Sequence, residues 1–298
     1  MSVSVARSPA PAAGPDHRPA DPAAEAPPPA VVIDAHAGGA SLAELWEHRE
    51  LLYFLVWRDV KLRYKQTALG AAWAILQPLL MTAVFWALFG RLAALQQRIP
   101  AVPYAVYAMA GLLPWTFFSG AVTASSASLV GGAHLITKVY FPRLVIPLAA
   151  VGAALIDLLV AVPVLLALLL ASGQMPAPTA VLAPLPVLAL AIAACAVGTG
   201  LAALTVRYRD FRHVVPFLLQ VWLFVTPVIY PVTLVPARWR LLLYLNPVAG
   251  LVDAFRAALL GTPLSLAGIA LSGSVTLVLL AAAAVYFQRV ERDFADVV

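Results

Sequence analysis

The stretch that decides the fold is Trp57-Arg-Asp-Val-Lys-Leu-Arg-Tyr-Lys-Gln-Thr-Ala-Leu-Gly-Ala-Ala-Trp-Ala-Ile-Leu-Gln-Pro78. Five of the eight residues from Arg58 to Lys65 are charged, and four of those five are basic. The charges then stop until Arg91, which leaves about one bilayer thickness of apolar helix. Because cytoplasmic segments beside a span carry an excess of Lys and Arg, we expect the chain to enter a membrane here from the cytoplasmic side.

The bulk composition supports a membrane protein. Of the 298 residues, 62% are hydrophobic and 11% are charged, whereas a soluble domain has about 25% charged residues. The net charge of +5 comes from short basic clusters between apolar runs. That pattern fits membrane topology and lipid headgroups, so we expect membrane lipids and no nucleic acid among the partners. The single cysteine, Cys195, permits no disulfide within the chain.

Apolar segments predict an all-α integral membrane protein with six transmembrane helices and both termini in the cytoplasm. Residues 1–40, rich in proline and alanine, are expected to form a disordered cytoplasmic tail. Residues 41–66 hold an interface helix and the basic segment (residues 58–65), residues 67–290 the transmembrane domain, and residues 291–298 a cytoplasmic tail. We place the six spans at about residues 69–91, 104–130, 144–171, 179–206, 214–230 and 264–287.

Basic residues set the predicted orientation. Outside residues 1–40, twelve Lys and Arg fall on the cytoplasmic side and five on the outer side. The twelve are Arg49, Arg58, Lys61, Arg63, Lys65, Lys138, Arg143, Arg207, Arg209, Arg212, Arg289 and Arg292, and the five are Arg91, Arg98, Arg238, Arg240 and Arg256.

Two segments outside the spans also predict helices. Residues 41–57 place apolar and acidic side chains on opposite sides, which indicates an amphipathic helix in the cytoplasmic interface. The alternative is an ordinary helix packed on a partner. Residues 231–263 contain apolar runs too short to span, so we expect external or re-entrant short helices between spans 5 and 6.

The loop Gly131-Gly-Ala-His-Leu-Ile-Thr-Lys-Val-Tyr-Phe-Pro-Arg143 interrupts the membrane pattern. Its two glycines end one helix, Pro142 begins the next, and one to two turns of apolar helix fit between them. A short, exposed apolar helix implies a protein partner. In the following span, Asp157 is the one acid far from the ends, so it should face the bundle interior or be protonated.

Several kinds of chemistry are absent from the sequence. No Gly-x-x-x-x-Gly-Lys-Ser/Thr loop is present for phosphate binding, and no Cys/His pair has metal-ligand spacing. Asp157 has no acidic companion at membrane depth. We therefore expect no catalytic residue, no metal site and no cofactor bound by this chain, which instead supplies a pathway while another subunit supplies energy.

The motifs together point to a family. The stretch from Trp57 to Pro78, Gly111-Leu-Leu-Pro-Trp-Thr-Phe-Phe118, Leu135-Ile-Thr-Lys-Val-Tyr-Phe-Pro-Arg143 and Asn246-Pro-Val occur in this order. In these motifs the chain closely resembles the ABC-2 type permeases of bacterial polysaccharide exporters, over about residues 41–290.

The resemblance implies an assembly and a cargo. A homodimer in the bacterial inner membrane would pair with two copies of a separate ABC ATPase, which binds ATP and Mg²⁺. The interface helix is expected to contact the ATPase and to border a lateral opening for lipid. The cargo class is a polysaccharide on a polyprenyl pyrophosphate carrier, such as O antigen, capsule or wall teichoic acid, with O antigen as first choice. The family's ATPase-docking helix corresponds here to His134, Leu135, Ile136, Thr137, Lys138, Val139, Tyr140 and Phe141.

Two further sets of residues are candidates for the transport path. Basic side chains at the cytoplasmic interface suit the carrier pyrophosphate, although they satisfy the topology bias equally well. Aromatic side chains in the spans suit stacking on sugars, although packing or interfacial positions explain them too. The basic set is Arg58, Lys61, Arg63 and Lys65, and the aromatic set is Phe85, Trp86, Trp115, Phe117, Phe118, Trp222, Phe224 and Tyr230.

Three alternatives stay open at this point. The first is an exporter of a drug or small lipid with the same architecture. The second is a membrane-embedded transferase acting on lipid-linked sugars, for which Asp59, Asp210 and Asp253 are the only plausible acids. The third is a structural membrane anchor.

Overall fold

A computed structural model describes residues 42–65, 72–92, 95–98, 102–136 and 141–291, and every regular element in these ranges is a helix. The predicted tails, apart from Glu291, lie outside the described residues. The α-helices are α1 (Leu42–Glu47), α2 (Arg49–Lys65), α3 (Ala72–Phe85), α4 (Tyr104–Gly131), α5 (Ala133–Ile136), α6 (Val145–Ala171), α7 (Pro184–Arg207), α8 (Phe211–Val225), α9 (Ala237–Leu243), α10 (Ala249–Leu260) and α11 (Leu266–Val290). A π-helix (Trp86–Leu92) and 3-10 helices (Leu95–Arg98, Pro178–Leu182 and Val232–Leu234) complete the set.

Five helices in the described part of the chain are long and apolar enough to cross a membrane, which confirms a multi-pass, all-α architecture. These helices are Ala72–Gly90, Tyr104–Gly131, Val145–Ala171, Pro178–Arg207 and Leu266–Val290. They correspond to predicted spans 1, 2, 3, 4 and 6. The predicted fifth span, residues 214–230, differs because α8 ends at Val225. At 15 residues, α8 is about 22 Å long, less than the ~30 Å of a bilayer core.

The segment after α8, residues 226–230, leaves the helix but stays largely buried. Its carbonyls must find other partners, because an unsatisfied buried carbonyl is costly. Arg256 donates to two of these carbonyls: its Nη2 donates to the Val228 oxygen at 2.6 Å, and its Nη1 donates to the Pro227 oxygen at 3.3 Å. The Tyr104 hydroxyl donates to the carbonyl of the next residue, Ile229, at 2.8 Å. Side chains of α4 and α10 therefore replace the missing helical hydrogen bonds.

The sequence places Arg256 among the five outer basic residues, which assumes that it is exposed. The structure shows instead that it is buried. Its side chain is 1% exposed. The guanidinium lies 3.9 Å from the centre of the Tyr107 ring and donates to the Tyr107 hydroxyl at 2.8 Å. Asp253, one turn earlier on α10, lies 3.9 Å away. The charge is tolerated because aromatic, carbonyl and carboxylate groups surround it.

Helix α4 is the central element of the bundle, packing on α3, α6, α7, α8 and α10. Small residues allow the close approach to α7. A methyl group on Gly198 would lie 2.6 Å from the Ser125 hydroxyl oxygen, so the α7 backbone packs directly on this small side chain of α4. Ser125 and Ser126 are buried, so the small, weakly polar end of this helix lies inside the bundle.

Helix α2 is longer than the sequence predicted. The expected helix ended near Trp57, but the structure continues it through the basic segment to Lys65. It packs along α6, where a methyl group on Gly152 would lie 2.7 Å from Val56. Because Val56 meets Gly152 and Arg63 meets Asp157, the two helices run in the same direction. The basic end of α2 thus reaches about 18 Å along α6, counted from Val145.

Residues 231–263 contain one exposed and one buried α-helix. Most side chains of α9 are exposed, whereas nearly all of α10 is buried against α4, α7 and α11. Asn246 anchors the connection: its side-chain amide donates to the Thr226 hydroxyl at 2.8 Å, and its carbonyl accepts from Ser272 at 2.8 Å. The Ser272 hydroxyl oxygen also accepts from the Gly250 amide at 3.0 Å. The short helix α10 is therefore part of the bundle.

Candidate functional site

A cavity of about 1110 Å³ lies between α2, α3, α4, α6 and α8. Each helix contributes one face. Helix α8, for example, presents Pro216, Leu219, Gln220 and Leu223, which follow the helical spacing. Most lining side chains are apolar, so the polar groups among them are distinctive.

A polar stripe runs along the cavity face of α4. It consists of Thr116, Ser119 and Thr123, with Gly120 beside them, at intervals of three or four residues. Each hydroxyl donates to a carbonyl of its own helix, at 2.9 Å, 3.3 Å and 2.8 Å respectively. The proton of each hydroxyl is engaged in this hydrogen bond, whereas the hydroxyl oxygen can still accept a hydrogen bond from a ligand. The stripe is suited to ligands that carry hydrogen-bond donors, such as sugar hydroxyls.

Arg63 and Asp157 carry the charge in the cavity, the only two charged side chains among its described lining residues. Arg63 Nη1 donates to one carboxylate oxygen of Asp157, and the Tyr64 hydroxyl donates to the other. The Arg63 and Asp157 side chains are 34% and 31% exposed, so the pair is accessible from the cavity. This contact gives Asp157 the interior position that its sequence context required.

Tyr64 is held in its neutral form. Burial raises the pKa of its phenol to about 12, and the hydrogen bond to the Asp157 carboxylate acts in the same direction. The hydroxyl therefore keeps its proton at physiological pH. It remains available as a donor to an anionic oxygen.

The other basic candidates lie on a different face of α2. Arg58, Lys61 and Lys65 border a shallow groove together with Phe54 and Trp57. Arg58 pairs with Asp59 at 2.8 Å, and the Lys61 ammonium lies 5.5 Å from the Trp57 ring centre. Of the four residues predicted for the carrier pyrophosphate, the structure places Arg63 alone in the large cavity.

The aromatic candidates are divided between the cavity, the core and the outer surface. Trp115 and Phe117 line the cavity. Trp222 lies edge-on to the Trp115 and Phe118 rings, at centroid distances of 6.4 Å and 5.4 Å, and Phe118 is fully buried. The remaining candidates lie elsewhere: Phe85 is buried beside Phe89, Trp86 and Phe224 are exposed, and Tyr230 contacts the Phe224 carbonyl at 3.3 Å.

The segment predicted to dock on an ATPase is described at its two ends. His134 is exposed on α5, Leu135 packs on the cluster around Phe141, Val145 and Phe287, and Ile136 ends the helix. Thr137, Lys138, Val139 and Tyr140 lie outside the described residues. Phe141 is buried at 8% exposure, so its ring belongs to the core.

Some residues that line the cavity carry no clear signal in the sequence. The α4 stripe, Gln77, Gln220 and Tyr64 all line the cavity but had no assigned role. The i, i+3, i+7 spacing of Thr116, Ser119 and Thr123 is a weak signal. Tyr64 could have been inferred only with its contact to Asp157, which is 93 residues away.

Comparisons with known proteins agree with this architecture. The sequence profile of the ABC-2 type transporter family matches residues 50–260. The chain is 35% identical to an O-antigen export system permease protein, RfbA, of Myxococcus xanthus over 256 residues, which cover 85% of this chain and 97% of that protein. It is 26% identical to an RfbA of Klebsiella pneumoniae, covering 83% and 95% of the two chains. It is also 26% identical to the polysialic acid transport protein KpsM of Escherichia coli, covering 68% and 78%. With the family profile matching most of a multi-pass helical bundle, the chain belongs to the ABC-2 type transporter family.

Proposed function

We propose that the chain is the permease subunit of an ATP-driven ABC exporter. It moves a polysaccharide linked to polyprenyl pyrophosphate, with O antigen as the first candidate, from the cytoplasmic to the outer side of the bacterial inner membrane. The observation that carries this proposal is the large cavity between α2, α3, α4, α6 and α8, with its polar stripe on α4.

The lining of the cavity suits a glycan. Sugar hydroxyls donate hydrogen bonds, and the oxygens of Thr116, Ser119 and Thr123 accept them without a competing proton. Trp115 and Phe117 border the cavity but are only 4% exposed, so they offer sugar rings little area for stacking. An exporter of a purely apolar lipid or drug would have little use for the stripe.

The relatives point in the same direction. The match to this chain covers nearly the whole length of two O-antigen export permeases, but only 78% of the polysialic acid transport protein. We therefore place O antigen ahead of a capsular polysaccharide as the cargo.

The topology we propose has six crossings with both termini in the cytoplasm, and an interface helix formed by α1 and α2. Helix α8 and the irregular residues 226–230 form the fifth crossing. Two facts support this topology: α8 is apolar from Val214 to Val225 apart from Gln220, and α4 and α10 satisfy the carbonyls that follow it. Non-helical backbone is tolerated at membrane depth when protein surrounds it.

The proposed assembly is a homodimer with two copies of a separate ATPase, which carries ATP and Mg²⁺. Exposed apolar faces of α3 and α8 flank the cavity and offer a surface for the second copy, with Leu80, Val84, Phe217 and Val221 among their residues. The segment from His134 to Phe141 receives the ATPase. Arg58, Lys61, Arg63 and Lys65 attract the carrier pyrophosphate at the cytoplasmic side.

Deletion of this permease in its own host tests the proposal. Lipid-linked glycan should accumulate in the cytoplasmic leaflet, and its sugar content identifies the cargo. Re-expression of the wild-type chain should clear it, whereas a Ser119→Val, Thr123→Val double variant should clear it only partly. A deletion strain with normal surface glycan and no intracellular glycan would contradict the proposal.

A further inference from the structure

At the contact between α2 and α6, two donors of α2 bind a carboxylate of α6 in the way that a protein binds an oxyanion. Arg63 and Tyr64 are adjacent in sequence, and their donors reach the two different oxygens of the Asp157 carboxylate. One donor is cationic and the other neutral, and together they bind the anion more strongly than two neutral donors would. A phosphate group presents the same pattern, with two terminal oxygens on one atom.

The site opens into the large cavity, about 18 Å along α6 from Val145, so a lipid-borne anion reaches it by entering the cavity. Arg63, Tyr64 and Asp157 all line the large cavity, and about a third of the Arg63 and Asp157 side chains is exposed to it. The pair has no net charge, so it removes the cost of an isolated charge in an apolar wall. An entering phosphate can therefore exchange with Asp157 for the same two donors.

The packing of α2 limits what such an exchange would move. Two turns before Arg63, Val56 lies against Gly152, where a single methyl group on the glycine would come within 2.7 Å. That close contact holds the first half of α2 on α6. Val60, about one turn before Arg63, is also buried, so loss of the Asp157 contact acts on the last turn of α2, beside the cavity.

We propose that Arg63 and Tyr64 form the binding site for the carrier pyrophosphate, and that Asp157 occupies it as an internal competitor until the carrier arrives. The inference rests on the proposed function and deepens it. Asp157 is a positioning residue, which keeps the empty site neutral and the end of α2 on α6. Arg58, Lys61 and Lys65, on the other face, contribute only long-range attraction.

The test is a binding measurement on the full-length chain in nanodiscs of phosphatidylcholine, with polyprenyl pyrophosphate as the probe. Asp157→Asn keeps the size of the side chain and removes the competing charge, so the probe should bind about three- to tenfold more tightly. Arg63→Gln should weaken binding by a similar factor, and Arg238→Gln, at an exposed position of α9, is the control that should leave binding nearly unchanged. Equal or weaker binding by Asp157→Asn overturns the proposal.

A double variant distinguishes competition from a change in folding. If Asp157→Asn acts by releasing Arg63, its gain should vanish when Arg63→Gln is also present. A gain that persists in that background contradicts the proposal. Inorganic pyrophosphate should compete with the probe. Equal tightening of phosphatidylglycerol by Asp157→Asn would show a general lipid-headgroup site and overturn the assignment to the carrier. If the wild-type chain and all variants fail to bind polyprenyl pyrophosphate, the proposed cargo itself is wrong.

Discussion

Gly111 of α4 lies directly against the guanidinium of Arg256 of α10. A methyl group at Gly111 would be 2.1 Å from Nη2 of Arg256 and 2.5 Å from the carbonyl oxygen of Val228. This one contact joins α4, α10 and the irregular residues after α8. The glycine that opens the Gly-Leu-Leu-Pro motif is therefore required by space, because any side chain would separate these three elements.

Gly111→Ala should destabilise the bundle. The added methyl group meets a backbone carbonyl that cannot move aside easily, and overpacking of this kind costs about 1–3 kcal/mol. The melting temperature in detergent should fall. Gly273→Ala, on α11, is the matched control because nothing lies within 4 Å of its added methyl group, and it should melt like the wild type. Equal melting of both variants would contradict the described contact.

Arg256→Gln should be more damaging than removal of other outer basic residues. It loses the hydrogen bonds to Tyr107, Pro227 and Val228 and leaves Asp253 beside an incomplete network. Leaving buried polar groups without partners costs about 1–3 kcal/mol for each group. The yield of monodisperse protein in size-exclusion chromatography should collapse. Arg238→Gln, at an exposed position of α9, should give normal yield, and similar losses in both variants would refute this role for Arg256.

Tyr140→Asp and Phe141→Ala should separate docking from folding. We expect Tyr140→Asp to abolish co-purification of the ATPase while leaving the permease folded, because a charge in an apolar docking surface opposes association. Phe141 is buried with Val145 and Phe287, so Phe141→Ala should lower stability by about 3–5 kcal/mol. Pull-down and thermal melting measure the two effects. Retention of the ATPase by Tyr140→Asp would remove the docking assignment.

Glu291 should make stability depend on pH. Burial raises the pKa of its carboxyl, against the hydrogen bond and charge of Arg143. The ionised form is thus less favourable in the fold than in the unfolded chain. Glu291 therefore contributes fully to stability at pH values below the ordinary pKa of a glutamate. That contribution is lost as the pH rises through the raised pKa of the folded state.

Glu291→Gln cannot ionise, so its stability should fall less than that of the wild type between about pH 4 and about pH 7. Melting curves at both pH values measure the difference. Glu50→Gln, at an exposed position of α2, should follow the wild type. A wild-type curve parallel to that of Glu291→Gln would count against the burial argument.

The polar stripe should matter for transport and not for folding. Ser119→Val and Thr123→Val remove acceptors that face the cavity, so glycan export should slow several-fold when both are present. Melting should change little, because each hydroxyl bonds only to its own helix. Ser274→Ala, an exposed hydroxyl on α11 that bonds in the same way, is the matched control. Normal export by the double variant would separate the stripe from the path.

Much of the fold follows from local sequence. The spans from Tyr104 and Val145 are long apolar runs, and their predicted bounds agree with α4 and α6 within one or two residues. The small residues around Ser125 are typical of a buried helix end, because close helix packing needs small side chains. Asp157 was expected to face the interior because an exposed charge in a span is costly.

The parts that were missed depend on contacts between distant residues. Arg256 has the local appearance of an outer-loop cation, and its buried position depends on distant partners, which are Tyr107 and the carbonyls of Pro227 and Val228. For the same reason the end of α8 at Val225 could not be located, since the following backbone is stabilised by α4 and α10. Helix α2 continues to Lys65, and its last turn carries the contact between Arg63 and Asp157, which no periodicity in either segment reveals.

Reconstitution tests the central claim most directly. The permease, purified with the ABC ATPase that associates with it, is placed in proteoliposomes that contain polyprenyl-pyrophosphate-linked glycan, and glycan reaching the opposite leaflet is measured with a membrane-impermeant lectin. The account predicts translocation that requires ATP and both subunits and that slows in the Ser119→Val, Thr123→Val variant. Translocation by the permease without the ATPase, or ATP-driven transport of other lipids with none of the glycan, would contradict it.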